Sequence, residues 1–471
     1  MADSSPMECG GNDAALAGHA LGSVPQGAPS SEMAEQIELP EGWRRIALSE
    51  VVIKARQTNP LAQPEREFTY VDVSSISRDA LSITKTSRIL GKDAPSRARK
   101  LIRAGDVIFA TVRPSLRRVA AVPPELDGQV CSTAFCVIRA NPETAEPGFL
   151  FFATAFEDFV KRVTQHERGS SYPAVTDGQV LAERIPLPPV PEQRAIAVVL
   201  RTVQGAKEAC ERVLAATRQL KQSLLHHLFT YGPVPFTQAA HVLLKETEIG
   251  PVPEHWSVVS IGDIETFMQY GTSSRCESGG SGLPVLRIPN VVGGRIDTAD
   301  LKYLAASPTE IERHLLQRGD LLFVRTNGVR ENVGRCAVYL GSPTRSLFAS
   351  YLIRARLAPD RALPEFVQLF TETNTGQASF TGRASGAADG KFNINTQIIR
   401  STILPLPPLS EQREIAAQLA TVDAKLAEEE SRRSALAALF QSLLHHLMTG
   451  KVRVPLECGG KRSATPLSPS T

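Results

Sequence analysis

The stretch PLPPVPEQRAIAVVL at Pro186–Leu200 returns as PLPPLSEQREIAAQL at Pro405–Leu419, and QSLLHHL at Gln222–Leu228 returns at Gln441–Leu447. Both matches are separated by 219 residues. A constant offset across two motifs indicates a duplicated unit without insertions between them, because unrelated similarities would not keep one spacing. This internal repeat predicts a chain built from two similar halves.

Weaker matches upstream keep the same order in both halves. LPEGW ending at Trp43 corresponds to VPEHW ending at Trp256, and GDVIFATVR from Gly105 corresponds to GDLLFVRTN from Gly319. The predicted order is therefore domain, helix, domain, helix. The variable part of each half, from the Trp to the proline cluster, holds about 145 residues, which is an ordinary domain size.

A long helix is predicted after each proline cluster. Prolines cannot lie inside a helix, so the two helices are predicted over 192–230 and 411–448, where apolar residues recur at spacings of three and four. The first helix carries a net positive charge and the second a net negative charge. We expect the helices to pair with each other, antiparallel, and to hold the variable domains at a fixed distance. The alternative is that each helix packs only on its own domain.

Short strands separated by turns are predicted inside the variable domains, at VIFATV, RVAAV, FCVI, LLFVR, CAVYL and YLIRARL. GFLFFATAFEDFVKRV, from Gly148, is predicted to be one helix because of its helical spacing. VCSTAFCVI is predicted to be one strand with Cys131 and Cys136 on opposite faces, both in the core. The predicted fold class is α+β, with two mixed α/β domains joined by two long helices that pair as an antiparallel coiled coil in a pseudo-two-fold internal repeat.

The composition is that of a globular protein with several domains. Of the 471 residues, 42% are hydrophobic and 21% charged, and no apolar run has the length of a membrane-spanning helix. Seven cysteines without a CxxC pair favour a reducing compartment, with a cytoplasmic location expected, over a disulfide framework or a zinc site. The predicted boundaries are a disordered extension at 1–37, variable domains at 38–185 and 251–404, repeated helical regions at 186–232 and 405–454, a linker at 233–250 and a disordered tail at 455–471.

No catalytic or cofactor motif is found in the sequence. GAADGKF at Gly386–Phe392 is similar to a phosphate-binding loop, but Ser385 stands where the first Gly is required and no Ser or Thr follows the Lys. The Gly-rich GGSGL near Gly279 lacks the strand, helix and distant acid of a dinucleotide site. The His pairs at 226–227 and 445–446 cannot chelate one metal, because neighbours on a helix point about 100° apart. We therefore expect no catalytic centre, no cofactor and no metal in this chain.

Basic residues are concentrated around the GD motif of each half. Arg78–Arg118 contains eleven Lys or Arg against three Asp, and Arg313–Arg356 contains eight Arg against two acidic residues. The loops after the matched strands read TVRPSLRR and RTNGVREN. Arg can bind a guanine edge with two hydrogen bonds, Asn or Gln an adenine edge, and Ser or Thr a phosphate. Two equivalent basic loops therefore favour the hypothesis that both halves bind DNA in the same way, through the loop after the GD strand.

A second candidate surface is the loop that precedes each proline cluster, GSSYP in the first half and GKFNIN in the second. Any one of these residues could equally be solvated surface, and it is the paired occurrence that favours DNA contact. The candidate DNA-binding residues from both kinds of loop and their basic surroundings are Arg97, Arg99, Lys100, Arg113, Arg117, Arg118, Ser171, Tyr172, Arg325, Thr326, Asn327, Arg330, Lys391 and Asn393.

These motifs resemble the specificity subunit of type I restriction-modification systems. LPEGW opening a variable domain, GDVIF or GDLLF in its middle, and PLPPVPEQRAIA or PLPPLSEQREIA before a long helix, all present twice, have that family's layout from Leu39 to Val454. The resemblance implies that each variable domain is a target-recognition domain that reads one half of a bipartite double-stranded DNA site. It also implies that the helices set the spacer of unread bases between the half-sites.

The resemblance further implies partners. Two copies of a modification (methyltransferase) subunit would bind S-adenosylmethionine and methylate adenine, and restriction (endonuclease) subunits would cleave DNA with ATP. Because the recognition loops differ between the halves, we expect an asymmetric target with half-sites about one helical turn apart. The candidates for helix pairing or subunit contact are Glu192, Gln193, Arg194, Ile196, Leu200, Glu411, Gln412, Arg413, Ile415 and Leu419.

Two rival hypotheses remain open from the sequence. The chain could be a fused DNA methyltransferase or nuclease with unrecognised motifs, in which case the isolated chain would transfer methyl groups or cut DNA. It could also be a protein-binding scaffold with two adaptor domains and no DNA contact. A steep fall of DNA affinity with salt would favour DNA recognition over the scaffold, because phosphate contacts release counterions.

Overall fold

The structure is a computed structural model that describes residues 38–78, 80–386 and 390–455. The extension predicted at 1–37 and the predicted tail after Pro455 lie outside the described residues. Part of the GAADGKF stretch also lies outside them.

The chain divides into two compact units. The first unit runs to Gln204 and also includes the segment from Leu439, and the second unit is Gly205–Ala438. Each unit contains a mixed α/β body together with part of both long helices. The domain boundaries expected from the sequence stay a prediction.

The body of the first unit is built on two four-stranded sheets. One has the order Val52–Ile53, Phe135–Ala140, Val107–Ala110, Val119–Ala121, and the other has the order Ser87–Leu90, Glu67–Val71, Val130–Ser132, Ala98–Leu101. Two-stranded pairs join Arg44–Ala47 to Arg184–Leu187 and Ile76–Ser77 to Ser82–Ile83. The α-helices of this body are Pro147–Ala155, Glu157–Thr164 and Asp177–Ala182.

The body of the second unit also has two four-stranded sheets. Their orders are Glu265–Tyr270, Leu352–Leu357, Leu321–Val324, Cys336–Val338 and Glu277–Ser278, Lys302–Leu304, Leu283–Leu286, Leu347–Phe348. A three-stranded sheet has the order Thr326–Asn327, Phe392–Asn393, Ser385–Gly386. Two-stranded pairs join Ser257–Ser260 to Ile403–Leu406, Val291–Val292 to Arg295–Ile296 and Leu244–Lys245 to Val252–Pro253. The α-helices are Ile261–Ile264, Pro308–His314, Pro364–Glu372, Asn374–Thr381 and Thr396–Arg400.

The two bodies repeat one construction. In each, the strand that follows the GD motif is an apolar run buried between two antiparallel neighbours, as expected for a central strand. In each, the segment after the motif Trp pairs antiparallel with the segment before the long helix, Arg44 opposite Leu187 and Ser257 opposite Leu406. The predicted α+β class and internal repeat are confirmed.

The two long helices are Val190–Tyr231 and Leu409–Met448. Each begins two residues before its predicted start. Pro191 therefore lies in the first turn of its helix, where the backbone N–H has no partner within the helix and its absence costs nothing. The predicted start of the first long helix, at residue 192, was therefore two residues too late.

Within the second unit the two long helices contact each other in antiparallel order. The Sγ atom of Cys210 lies 3.3 Å from the backbone oxygen of Glu429. Lys221 contacts Asp423 at 2.7 Å, so the residue numbers rise along one helix as they fall along the other. Cys210 and Glu429 are equivalent positions of the repeat, 219 residues apart, and a two-fold relation between the helices requires such a contact. The predicted antiparallel coiled coil is confirmed.

The same helices also pack on the bodies. In the first unit, Ile196 and Leu200 of the first helix share a buried cluster with Phe440 and Leu444 of the second. Phe152 of the body belongs to this cluster and lies against Phe440, with ring centroids 6.1 Å apart. The alternative that each helix packs only on its own domain is therefore wrong.

Two predictions about local structure were wrong. VCSTAFCVI is not one strand: Cys131 lies on Val130–Ser132 and Cys136 on Phe135–Ala140, which belong to different sheets, although both thiols are buried as expected. The helix predicted from Gly148 is broken at Phe156, whose ψ of 137° is extended. The break separates a first helix that is buried almost throughout from a second helix whose Phe159, Val160 and Val163 are buried and whose charged residues are more exposed.

A buried cation joins three elements of the second unit. Lys221 Nζ lies 2.6 Å from Glu372 Oε2 and 2.7 Å from Asp423 Oδ1, and the residue is only 8% exposed. Burial disfavours the ammonium form, but the two carboxylates raise the pKa of Lys221 above its ordinary value. At the equivalent position of the first unit, Phe440 packs on Phe152. One position of the repeat is therefore ionic in one unit and aromatic in the other.

Replacing Lys221 by Met is expected to destabilise the second unit by up to about 3 kcal/mol, because two half-buried carboxylates lose their common cation. Lys161→Met is the matched control, since Lys161 and its partner Glu157 are both more than half exposed and their pair adds little. Urea unfolding of the two variants measures the difference. Equal, small changes in both variants would contradict this account of Lys221.

Candidate nucleic-acid interface

The GD motif fixes the strand that leads to the basic loop of the first unit. Gly105 has a φ of 85°, a left-handed conformation that suits Gly. The buried carboxylate of Asp106 accepts hydrogen bonds from Arg139 Nε at 2.8 Å, from Arg139 Nη2 at 2.6 Å and from the Arg103 backbone N at 2.8 Å. The hydrogen bond with Asp106 raises the pKa of Arg139. This two-pronged ion pair fixes where Val107–Ala110 begins.

The second unit repeats the arrangement. Gly319 has a φ of 93°. Asp320, fully buried, accepts from Arg356 Nε at 2.7 Å, from Arg356 Nη2 at 2.9 Å and from the Gln317 backbone N at 2.8 Å. The sequence did not reveal this ion pair. The Arg partner lies 33 residues after the Asp in the first unit and 36 residues after it in the second.

The two candidate loops of the first unit lie side by side. Val112, in the basic loop, forms an antiparallel bridge with Ala174, which follows GSSYP. The Arg113 backbone N donates to the Pro173 oxygen at 2.7 Å, and the Val175 N donates to the Thr111 oxygen at 2.9 Å. Two surfaces that were predicted separately therefore form one surface.

The equivalent loops of the second unit meet in the same way. Thr326 pairs with Asn393 and Asn327 with Phe392 in the three-stranded sheet. The backbone N of Ile394 donates to the Arg325 oxygen at 2.9 Å, a bond equivalent to the one between Val175 and Thr111. RTNGVREN and GKFNIN thus form a single surface, in the register that the repeat requires.

Arg113 lies at the tip of the loop pair in the first unit. Its φ of 49° is unusual for a residue with a side chain, and such conformations persist where the surrounding structure holds them. Its Nη2 donates to the Ser171 oxygen at 3.1 Å, and its Cζ lies 4.9 Å from the centroid of the Tyr172 ring. Tyr172 is 72% exposed. The structure brings Arg113, Ser171 and Tyr172 together at the surface.

Two arginines lie on aromatic rings in the second unit. Arg325 Cζ is 4.8 Å from the Tyr270 ring centroid, and its Nη1 donates to the Ser350 oxygen at 3.3 Å. Arg330 Cζ is 5.6 Å from the Phe392 ring centroid, and its Nε donates to a backbone oxygen at 2.8 Å. Each guanidinium is thus supported on one face by an aromatic ring.

Three of the predicted DNA contacts are directed into their own domain. Lys100 Nζ lies 2.5 Å from Asp177 Oδ2 and also donates to a backbone oxygen. Arg117 Nη2 and Arg118 Nη1 each donate to a backbone oxygen of the body at 2.9 Å. Arg117 and Arg118 thereby attach the loop that carries Arg113 to the body of the unit.

The remaining candidates differ in their exposure. Arg99 donates to the backbone oxygen of the preceding residue at 2.9 Å. Thr326 is buried, and its strand partner Asn393 is half-buried. Asn327 Oδ1 accepts from the Val329 backbone N at 2.9 Å and so supports its own loop. Arg97, Ser171 and Lys391 are exposed, as are Arg113, Tyr172 and Arg330.

A hydrogen bond joins the two ends of each variable part. Trp43 Nε1 donates to Glu192 Oε2 at 3.1 Å, and Trp256 Nε1 donates to Glu411 Oε2 at 2.8 Å. The LPEGW and VPEHW motifs therefore contact the EQR motifs that close their own variable parts. These two motifs repeat together because each supplies one partner of this contact.

Most of the other predicted helix residues are buried inside the chain. Gln193 and Gln412 are fully buried and donate to a backbone oxygen of the preceding proline cluster at 2.9 and 2.8 Å. Ile196, Leu200, Ile415 and Leu419 are also fully buried. Arg194 and Arg413, which are equivalent positions of the repeat, are exposed. The other eight predicted helix residues are buried or half-buried.

Sequence reasoning missed the aromatic partners of the arginines. Tyr270 and Tyr351 were not among the candidates, although Tyr270 supports Arg325 and the Tyr351 backbone oxygen accepts from the Arg325 N at 3.0 Å. Phe392 lies inside GKFNIN, where only its polar neighbours Lys391 and Asn393 were predicted to bind DNA. A search for exposed aromatic residues near basic loops would have found Tyr351, but no sequence signal links Tyr270 to Arg325.

Two features are absent from the residues that the structure describes. Within 38–78, 80–386 and 390–455, no group of three or more His, Cys, Asp or Glu side chains is arranged to hold a metal ion. In the same ranges, no helix combines the length and the apolar character needed to cross a bilayer.

A duplicated α+β scaffold that presents supported arginines on equivalent loop pairs has the construction of a nucleic-acid reader. The chain matches the type I restriction modification DNA specificity domain over residues 40–213 and 253–437. It therefore belongs to the family of type I restriction-modification DNA specificity subunits.

Individual relatives agree with this assignment. The chain is 29% identical over 289 residues to the type I restriction enzyme EcoKI specificity subunit of Escherichia coli K12, a match that spans 60% of each chain. It is 24% identical over 435 residues to the MjaVIII specificity subunit of Methanocaldococcus jannaschii, covering 89% of this chain and 95% of that one. A solved structure concerned with assembly and conformational transition of the type I R-M system contains a chain 30% identical, with a TM-score of 0.53 and coverage of 88% and 100%.

Asp106→Asn and Asp320→Asn are expected to loosen only the strand that follows each motif, because the lost charge leaves an Arg without its counter-ion. Hydrogen–deuterium exchange of the two variants, compared over Val107–Ala110 and Leu321–Val324, measures this. Each variant is the control for the other. Faster exchange in both strands of either variant would show that the ion pair does not act locally.

Proposed function

We propose that this chain reads an asymmetric, bipartite target in double-stranded DNA and directs partner subunits to it, each unit reading one half-site. The observation that carries the proposal is the convergence of two loops in each unit through equivalent backbone pairs, Val112 with Ala174 and Thr326 with Asn393. Loops presented by a rigid scaffold are the usual place for recognition residues. The arginines they carry have the chemistry that reads guanine or binds phosphate.

The asymmetry of the target follows from residues that are equivalent in the repeat. Where the first unit has Arg113, the second has Asn327, and where the first has Tyr172, the second has Lys391. Arg and Asn prefer different base edges. The two half-sites are therefore expected to differ in sequence and to lie about one helical turn apart.

The long helices are proposed to set the spacer between the half-sites. Both helices run through both units, so every change in their length alters the connection between the two bodies. The bases between the half-sites would be unread, because no recognition loop belongs to the helices. Both half-sites would then keep their sequence if the helix length changed.

The partners are proposed to be two copies of a methyltransferase subunit together with ATP-dependent endonuclease subunits. Two copies suit a chain that presents the exposed Arg194 and Arg413 at equivalent positions of its two helices. S-adenosylmethionine, ATP and the metal ion would be bound by these partners. The chain itself is proposed to have no catalytic role.

Affinity for a cognate duplex, measured with the methyltransferase subunit present, is expected to fall steeply as salt rises. Contact with four phosphates would give a fall of roughly a hundredfold between about 50 and 200 mM salt. Fluorescence anisotropy over a salt series measures the slope, with a duplex lacking both half-sites as control. An affinity that is indifferent to salt, or absent, would support the protein-binding scaffold instead.

Arg113→Ala and Arg325→Ala are each expected to relax base preference in one half-site only. The cost for the affected base is about 1–3 kcal/mol if the side chain reads that base with two hydrogen bonds. Methylome sequencing of cells that carry either variant with its partner subunits reads both half-sites at once, so each variant controls the other. If one substitution changed the preference in both half-sites, the proposal that each unit reads one half-site would be refuted. The same conclusion would follow if neither substitution changed the preference in either half-site.

A further inference from the structure

Arg325 is held in place through both its backbone and its side chain. Its backbone N donates to the Tyr351 oxygen at 3.0 Å, and its backbone oxygen accepts from the Ile394 N at 2.9 Å. Its side chain is fixed by the Ser350 oxygen and by the ring of Tyr270. The guanidinium is therefore restrained in position and in plane before any ligand arrives.

The donors that remain on Arg325 form one continuous edge. The side chain uses Nη1 for Ser350, and the structure shows no hydrogen bond from Nε or Nη2 to another described residue. Nε and Nη2 lie next to each other in the guanidinium plane and can donate two parallel hydrogen bonds. Arg330, by contrast, uses its Nε within the unit, so this edge is broken there.

Tyr270 is itself fixed in place. It ends the strand Glu265–Tyr270, where it is paired with Ile353, and its hydroxyl oxygen accepts from the Thr396 backbone N at 3.4 Å. The residue is 37% exposed, so its ring borders solvent while it supports Arg325. In the first unit, Tyr172 supports Arg113 from a strongly exposed loop position without a comparable strand.

We propose that Tyr270 is a positioning residue for DNA reading, which holds the Nε and Nη2 edge of Arg325 in the plane of a guanine in the half-site read by the second unit. This inference rests on the proposed function. Guanine offers O6 and N7 as two acceptors in one plane. A guanidinium that is already fixed in that plane can therefore bind guanine with two hydrogen bonds without further ordering. A phosphate accepts from many directions and gains little from such fixation. The ring lowers the loss of side-chain freedom on binding.

The test uses the complex of the full chain with its methyltransferase subunits. Methylation rates are measured on duplexes in which each base pair of the second half-site is changed in turn, and Arg325→Ala first identifies the base pair that it reads. Tyr270→Leu is expected to lower the preference for guanine at that pair by about threefold to tenfold. Tyr270→Phe keeps the ring and is expected to keep the preference within about twofold, since only the hydroxyl is lost.

Other outcomes overturn the inference. Equal loss of rate on every duplex by Tyr270→Leu would assign the ring to phosphate contact or to folding, and an equal effect of Tyr270→Phe would assign the role to the hydroxyl. Thermal unfolding of both variants separates a folding defect from a reading defect. If Arg325→Ala changes base preference while Tyr270→Leu does not, only this inference fails. If neither Arg325→Ala nor Arg113→Ala changes any preference, the proposed function fails.

Discussion

The hydrogen bond between an indole and a helix-starting carboxylate is the contact on which each half of the structure depends. Trp43 donates to Glu192 and Trp256 donates to Glu411. A buried carboxylate requires such partners, and Glu192 also lies 2.7 Å from Arg453, near the end of the described chain. The bond ties the first strand of a body to the start of the helix that follows its last strand. The segment between those ends, which contains both candidate DNA-binding loops, is therefore anchored at its two ends.

The backbone contacts and the buried ion pairs are repeated in the two units, whereas the side chains on the candidate loops differ. Asp106 and Asp320 make the same buried ion pair, so each central strand begins at the same place and its loop follows at an equivalent position. At that position the two units diverge, and Arg325 with Tyr270 has no counterpart in sequence in the first unit. The buried Lys221 diverges in the same way. Shared backbone contacts with different surface side chains fit the proposal that the two units read different half-sites.

The sequence predicted the repeat, both long helices, their antiparallel pairing and the fold class, because these follow from periodic patterns and from motif spacing. It did not predict which basic residues face outward. Lys100, Arg117 and Arg118 bond within their own unit, and no local pattern distinguishes them from Arg113. Nor could it find Tyr270, because the partners of a supported Arg are brought together by tertiary structure alone. The sequence therefore predicted which loops form the candidate site, but only some of the side chains that these loops expose.

The two loop pairs are proposed to contact different half-sites of one duplex. Photocrosslinking can locate both contacts, with a photoreactive amino acid placed at position Tyr172 or at position Val329, both exposed in their loops. In the complex with partner subunits and a cognate duplex, we expect crosslinks from the two positions to bases of opposite half-sites. Crosslinks from both positions to the same half-site, or crosslinks to protein partners alone, would contradict it.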